Sequence, residues 1–266
     1  MSQDLGALMG TGTPSRVDVP GGRPAVLALH GFGATPEEAK LIVDVARSLG
    51  LRAVAPLLPG HGTHAKDLAR TTFDDWSRAA LEALNELTRD GSRAIVVGQS
   101  LGGVLALHLA LRRPEAVLGL GLLATAIRLT RFTAELPLSV VDRAKVPDFS
   151  VPKAGADIKD PVARASQLTY GTQPVHAAIE VMRAGARVSA RLGEIRCPVF
   201  IAHGKGDHVC PVNNAYEIHR AVSSQDRSLL ILLNSFHIIT RDHDRDLLAR
   251  ELGRFVRRLR DASTAA

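Results

Sequence analysis

"VVGQSLGGVLAL" (Val96–Leu107) decides the fold. An apolar run closes on Gly98 and Gln99, a single small polar residue, Ser100, follows, and a second apolar run begins at once. If the first run is a buried strand and the second a helix, the turn between them has almost no length. Gly98 and Gly102 leave room for the close backbone approach that such a turn demands. The pentapeptide fits G-x-S-x-G, the nucleophile elbow, in which a serine on a cramped strand-to-helix turn exposes its hydroxyl above a sheet. "AIVV" (Ala94–Val97) and "LGGVLALHLALRR" (Leu101–Arg113) supply the strand before it and the helix after it.

Working outward, short β-branched runs alternate with longer helical patterns. Strands are expected at Ala25–His30, Arg52–Leu57, Ala94–Gly98, Val117–Leu123, Val199–Ala202 and Leu229–Leu233. Helices are expected over about 36–49, 73–90, 101–111, 212–222 and 245–260. Strands that are apolar throughout, rather than alternating, indicate a mostly parallel central sheet covered by helices on both faces. The fold class is therefore α/β, with ligands expected at the carboxyl ends of the strands. The rhythm breaks between Ala124 and Gly193, where five prolines (Pro137, Pro147, Pro152, Pro161, Pro174) replace the strand pattern. A stretch that long is no plain loop. It is expected to be a cap insertion (124–193) over a core domain formed by 1–123 and 194–266.

A serine hydroxyl is a poor nucleophile at neutral pH and needs a base, which in turn needs an orienting carboxylate. On this architecture the chain order is Ser, then Asp or Glu, then His. "IAHGKGDHVCP" (Ile201–Pro211) places Asp207 just after a strand, and "LLILLNSFHIIT" (Leu229–Thr240) places His237 just after the next. Both fall at the same sheet edge as Ser100. Other candidates fit less well. His203 lies in a strand end and reads as structural, and His208, beside Asp207, points elsewhere. His219 and His243 fall on helical patterns, His108 lies well inside the helix after Ser100, and Asp157 and Asp160 belong to the insertion. A tetrahedral intermediate also needs N–H donors for its oxyanion. The backbone N–H of Leu101, directly after the nucleophile, is one. The loop "LHGFGAT" (Leu29–Thr35) offers the other, at Phe32.

Composition narrows the remaining classes. Of 266 residues, 45% are hydrophobic and 23% charged, enough for a sizeable core. No apolar stretch approaches the roughly 20 residues needed to span a bilayer. The opening residues show neither a basic n-region nor a long apolar h-region, so a cytoplasmic protein without membrane insertion is expected. The net charge of +6 reads as a solvated, Arg-rich surface, because nucleic-acid binding would want a basic face interleaved with aromatics, which are only 4%. "RFVRRLRD" (Arg254–Asp261) reads as the polar side of a terminal amphipathic helix. Cys197 and Cys210 flank an extended run and are expected as separate thiols. No metal or cofactor is expected, since neither H-E-x-x-H nor paired-Cys spacing occurs.

With these motifs in hand, the chain resembles the α/β-hydrolase superfamily, and more closely the small bacterial carboxylesterases and monoacylglycerol lipases. The matching pieces are "LALHGFGATPEE", "PLLPGHGTHAKDLARTTFDDW", "VVGQSLGGVLAL", "IAHGKGDHVCP" and "LLNSFHIITRDHD", in that order along nearly the whole chain outside the insertion. The resemblance implies a Ser100–Asp207–His237 triad with Phe32 and Leu101 at the oxyanion hole. Two departures stand out. Gln99 replaces the Leu common before the nucleophile. In "ADIKDPVARASQLTYGTQP" (Ala156–Pro174), which looks like the monoacylglycerol lipase cap, Gln167 falls where the family implies a glycerol-recognising carboxylate. The amide still offers hydrogen bonds to a diol.

The expected activity is hydrolysis of an uncharged, small-molecule acyl ester through an acyl-enzyme. A thioesterase, an amidase or an acyltransferase would use the same parts, and a ligand receptor with little or no turnover is the rival from another class. Phe132, Leu136, Leu138 and Val140 either line an acyl pocket or pack the cap on the body.

Overall fold

The computed structural model describes residues 6–10, 14–130 and 145–264. The elements before the insertion are β1 (Leu8–Met9), β2 (Val17–Val19), β3 (Gly22–Leu29), α1 (Lys40–Ser48), β4 (Leu51–Ala55), α2 (Ala65–Ala69), α3 (Phe73–Leu87), β5 (Ala94–Gln99), α4 (Leu101–Arg112) and β6 (Val117–Leu123). Within the insertion come β7 (Ser150–Pro152), α5 (Pro161–Ser166), β8 (Thr169–Tyr170), β9 (Thr172–Pro174) and α6 (Val175–Ser189). The chain then returns to the sheet with β10 (Val199–Gly204), α7 (Asn213–Ala221), β11 (Arg227–Leu232) and α8 (Arg245–Thr264). Phe132, Leu136, Leu138 and Val140 lie outside the described residues.

Seven strands form the central sheet in the order β11-β10-β6-β5-β3-β4-β2, parallel throughout except for the antiparallel edge pair β2 and β4. The unbroken apolarity of the inner strands has a direct cause. Leu27, Leu29 and Val96 face one side and pack with α3, α4 and α6, whereas Val26, Ala28, Ile95 and Val97 face α1 and α8 on the other. A period-2 backbone with helices on both faces has no solvated side to make polar. In α8, Phe255, Val256 and Leu259 are buried while Arg254, Arg257 and Arg258 are exposed, so the basic cluster is the outer face of an amphipathic helix.

Differences from the sequence reading are local. The first expected helix divides into a 3-10 turn over Pro36–Ala39 and α1, because Pro36 at the first turn starts a helix but donates no N–H. The edge strand β2, "VDV", is too short and polar to register as a strand pattern. At α3, a capping box does the starting: Thr72 Oγ1 accepts from the Asp75 N–H (3.3 Å) and Asp75 Oδ2 accepts from the Thr72 N–H (3.0 Å).

The insertion is tied to the body at several places. Its strand β8 pairs with β1, whereas β7 and β9 pair with each other inside the insertion, both pairs antiparallel. Helix α6 behaves as part of the body: Ala177, Val181, Ala184 and Val188 are buried in the α3–α4 cluster. Gly185 comes so close to the Ala126 carbonyl that an added Cβ would sit 2.6 Å from its oxygen. Among the described residues, no helix is long and apolar enough to cross a membrane.

Candidate active site

The turn after β5 is strained in the way its sequence demands. Ser100 sits at φ 56° and ψ −112°, a region costly for any residue with a side chain, by about 1–3 kcal/mol. The glycines around it have no alternative. A Cβ on Gly98 would lie 2.0 Å from the Gly102 carbonyl oxygen, and one on Gly102 would lie 2.1 Å from that of Leu29. The strain is held by hydrogen bonds: the Ser100 N–H donates to Leu123 O (2.8 Å), and its carbonyl accepts from Gly103 (3.0 Å).

Tertiary structure brings Ser100, His237 and Asp207 into one chain of hydrogen bonds. His237 Nε2 lies 3.0 Å from Ser100 Oγ, and His237 Nδ1 lies 2.7 Å from Asp207 Oδ2. Both ends are nearly dry, with Ser100 and His237 each 7% exposed and the Asp207 side chain fully buried. Asp207 Oδ1 accepts from the N–H groups of Val209 (2.8 Å) and Cys210 (2.7 Å). Burial works against the Asp207 charge, but His237, together with hydrogen bonds from His203 and His237, holds this carboxyl well below the usual carboxylate range. Burial likewise disfavours the His237 imidazolium. The Asp207 carboxylate, aided by Asp157 and Glu38, outweighs it and raises the His237 pKa above its ordinary value. These directions suit an aspartate that stays ionised while its imidazole partner gains and loses a proton.

Several partners escape a reading by motif. His203 Nε2 stands 3.0 Å from Asp207 Oδ2, the same oxygen that His237 Nδ1 meets, so this strand-end histidine supports the carboxylate as well. Gln99 donates its amide N–H to the His237 carbonyl (2.8 Å), which links the elbow to the histidine loop. Asp157 accepts from the His237 N–H (3.2 Å) and the His208 N–H (3.0 Å), tying both loops to the insertion. His208 itself turns to Asp157 (2.8 Å) rather than to Ser100. Asp242, fully buried, accepts from the N–H groups of Lys159, Asp160 and Phe236. Most of these contacts join residues dozens of positions apart, which no local motif records; His203 and Asp207, four positions apart, and Phe236 and Asp242, six apart, are the exceptions.

The loop after β3 is equally well determined. The Gly31 N–H donates to Glu38 Oε1 (2.8 Å), and Gly31 O accepts from Ala34 (3.3 Å) and from His30 Nδ1 (2.9 Å). That assigns the Nδ1 proton of His30 and leaves Nε2 to accept from the Leu58 N–H (3.2 Å). Those bonds engage Gly31 and leave the neighbouring Phe32 amide outside them. Leu101 opens α4, where a helical N–H has no intrahelical acceptor. The Phe32 ring packs edge-on against His61 and Trp76.

Ser100 and His237 open into a cavity of about 380 Å³ that also meets Phe32, Tyr170, Val181 and Gln167. Gln167 is 3% exposed, with Nε2 on Leu168 O (3.2 Å) and Oε1 without a partner. As a metal site the region is poor. Donor atoms of Asp207, Cys210 and His237 lie within 4.8 Å of one another, but burial drives the Cys210 thiol well above its ordinary pKa, away from the thiolate that a metal needs. Cys197 and Cys210 are separate thiols.

Comparison with known proteins places the chain in a family. Residues 22–244 match the family model described as serine aminopeptidase, S33 (Hydrolase_4). A thermostable monoacylglycerol lipase of Bacillus sp. (strain H-257) is 31% identical over 227 residues, 85% of this chain and 88% of the lipase. A carboxylesterase of Bacillus subtilis (strain 168) is 24% identical over 263 residues, 93% of this chain and 98% of the esterase. A solved structure of the metagenome-derived lipolytic enzymes LipS and LipT superposes with a TM-score of 0.84 at 28% identity, covering 92% of this chain and 98% of that one. With its parallel sheet, its serine elbow and a family match spanning most of its length, the chain belongs to the S33 family of the α/β-hydrolase superfamily.

Proposed function

We propose that this protein is a serine carboxylic-ester hydrolase acting on small-molecule acyl esters of the monoacylglycerol or simple carboxylester kind. One observation carries the reading: a strained, nearly buried serine hydroxyl lies 3.0 Å from an imidazole whose other nitrogen lies 2.7 Å from a buried aspartate, with the serine and the imidazole facing a cavity. Ser100 is the nucleophile, His237 the general base and then acid, and Asp207 the carboxylate that orients the imidazole and favours its protonated form. His237 takes the Ser100 proton as Oγ bonds to the ester carbonyl carbon. The N–H groups of Phe32 and Leu101 receive the oxyanion. Collapse of the tetrahedral intermediate breaks the bond to the alcohol oxygen, which leaves with the proton from His237. Water repeats the cycle on the acyl-enzyme and frees the acid.

Residues 124–193 act as the cap over a core of 1–123 and 194–266. The cavity's contacts with Val151, Lys153, Gln167 and Tyr170 support that division, while α6 packs into the core of the body. Gln167 Oε1 is the acceptor offered to a substrate hydroxyl.

The test is hydrolysis of 4-nitrophenyl esters with acyl chains from two to sixteen carbons by the wild type and Ser100→Ala. Loss of the nucleophile is expected to cost on the order of 10⁶ in kcat. Turnover surviving in Ser100→Ala would remove Ser100 from its role, and binding without turnover in the wild type would favour a receptor. A matched thioester series separates an ester hydrolase from a thioesterase.

A further inference from the structure

The cavity's cations and carboxylates do not pair with one another among the described residues. Four charged side chains other than the imidazoles line it: Glu38, Asp157, Lys153 and Arg164. The two acids are engaged. Glu38 accepts from the Gly31 N–H, and burial lifts its carboxyl toward the neutral form. Asp157 accepts from the N–H groups of His208 and His237 and from the His208 ring. The two cations are not ion-paired among the described residues. Part-buried Lys153 donates from Nζ to Thr169 Oγ1 (2.8 Å), and Arg164, at the exposed rim, donates to the Ala154 carbonyl (3.0 Å). Burial pulls the Lys153 pKa down, with Glu38 and Asp157 working in the opposite sense at longer range. Beside them lies the neutral amide of Gln167, buried and with Oε1 unpartnered. A part-buried ammonium whose short-range partner is one hydroxyl lowers its energy most by meeting an anion.

We infer that Lys153 is a specificity-determining residue that selects esters carrying an anionic group, a carboxylate or a phosphate, away from the scissile bond. This rests on the ester-hydrolase reading above and revises its expectation of an uncharged substrate. Lys153 supplies the charge, Thr169 holds its ammonium in place, and Arg164 attracts the same anion at the entrance. Gln167 adds no repelling charge and offers an acceptor to a neighbouring hydroxyl. The anion belongs either to the acyl chain or to the alcohol, and both meet the same chemistry.

Two substrate pairs separate these sources: mono-4-nitrophenyl glutarate against 4-nitrophenyl pentanoate, and 1-butanoylglycerol 3-phosphate against 1-butanoylglycerol. The readout is the ratio of kcat/KM within each pair, so that a general loss of activity cancels. In at least one pair the wild type favours the anionic member by about tenfold or more, a preference that weakens with added NaCl. The ratio falls to near one in Lys153→Met and survives in part in Lys153→Arg. The responding pair identifies which half of the ester faces Lys153. Ratios at or below one in both pairs, with neutral esters hydrolysed in a Ser100-dependent way, would overturn this inference and leave the hydrolase reading standing. A wild-type preference unchanged in Lys153→Met would overturn it too. Failure to hydrolyse any of the four would bring down the hydrolase reading itself.

Discussion

Two buried histidines, one in and one beside the loop after β3, give the protein an acid-sensitive point whose size can be worked out. His30 and His61 are 0% and 1% exposed, their rings meet edge-on at 5.0 Å, and burial holds their pKa values at about 3 and about 4. Freed by unfolding, each titrates near 6.5. The folded values are depressed, so the stability these residues contribute is present above pH 6.5 and is lost as pH falls toward 4 and then 3. At pH 4.5 the unfolded chain has gained two pH units of protonation free energy at each histidine that the folded chain has not. At about 1.4 kcal/mol per unit, that is about 3 kcal/mol for each residue and about 5 kcal/mol for both. Domains of this kind are stable by only about 5–15 kcal/mol, so the loss is a large part of the total. Asp207 does not compete in this window, because its depressed pKa matters only below the ordinary carboxylate range. His237 acts in the opposite sense. Its raised pKa adds stability that is fully present below 6.5 and fades as pH rises through the folded value. The perturbation is His61→Leu, of similar volume and without a titrating group, assayed by urea unfolding at pH 7 and pH 4.5. The variant is expected to lose about 3 kcal/mol less than the wild type between the two pH values, or about 5–10 °C less in Tm. Equal losses in the two proteins would refute the reasoning, whatever their stabilities at pH 7.

The remaining expectations concern the site. Because His237 must be neutral to accept the Ser100 proton and its pKa is raised, kcat/KM should rise with pH through a midpoint above 6.5; a midpoint below that value would contradict the Asp207 coupling. Asp157→Asn removes a carboxylate that favours the imidazolium, so the same midpoint should move to lower pH, while an unmoved midpoint would reduce Asp157 to a loop fastener. Gly98→Ala puts a Cβ 2.0 Å from a carbonyl oxygen, and overpacking of that kind costs about 1–3 kcal/mol or more. Its Tm should fall and its esterase activity should collapse with the elbow, and a variant with normal Tm and kcat would show that the turn tolerates a side chain.

By itself the sequence determined the layered parallel sheet and the three residues that meet above it. Runs such as Ala94–Val97 are apolar on both strand faces, which only a doubly covered sheet can satisfy, and Gly98-Gln99-Ser100-Leu101-Gly102 admits few turns. Ser100, Asp207 and His237 were legible because strand ends in a parallel sheet all open on one edge, so local position predicts proximity. What surrounds them was not legible. The contacts of Gln99 with the His237 carbonyl, Asp157 with the His237 amide, and His203 with Asp207 follow from how the insertion and β10 settle on the sheet. The buried state of Glu38, the partner that Lys153 finds sixteen residues on in Thr169, and the orphaned oxygen of Gln167 likewise depend on how segments pack rather than on any local motif. A repeating pattern records which face of an element is buried. Desolvation and charge balance inside a cavity depend on which elements meet there, and only the tertiary structure decides that.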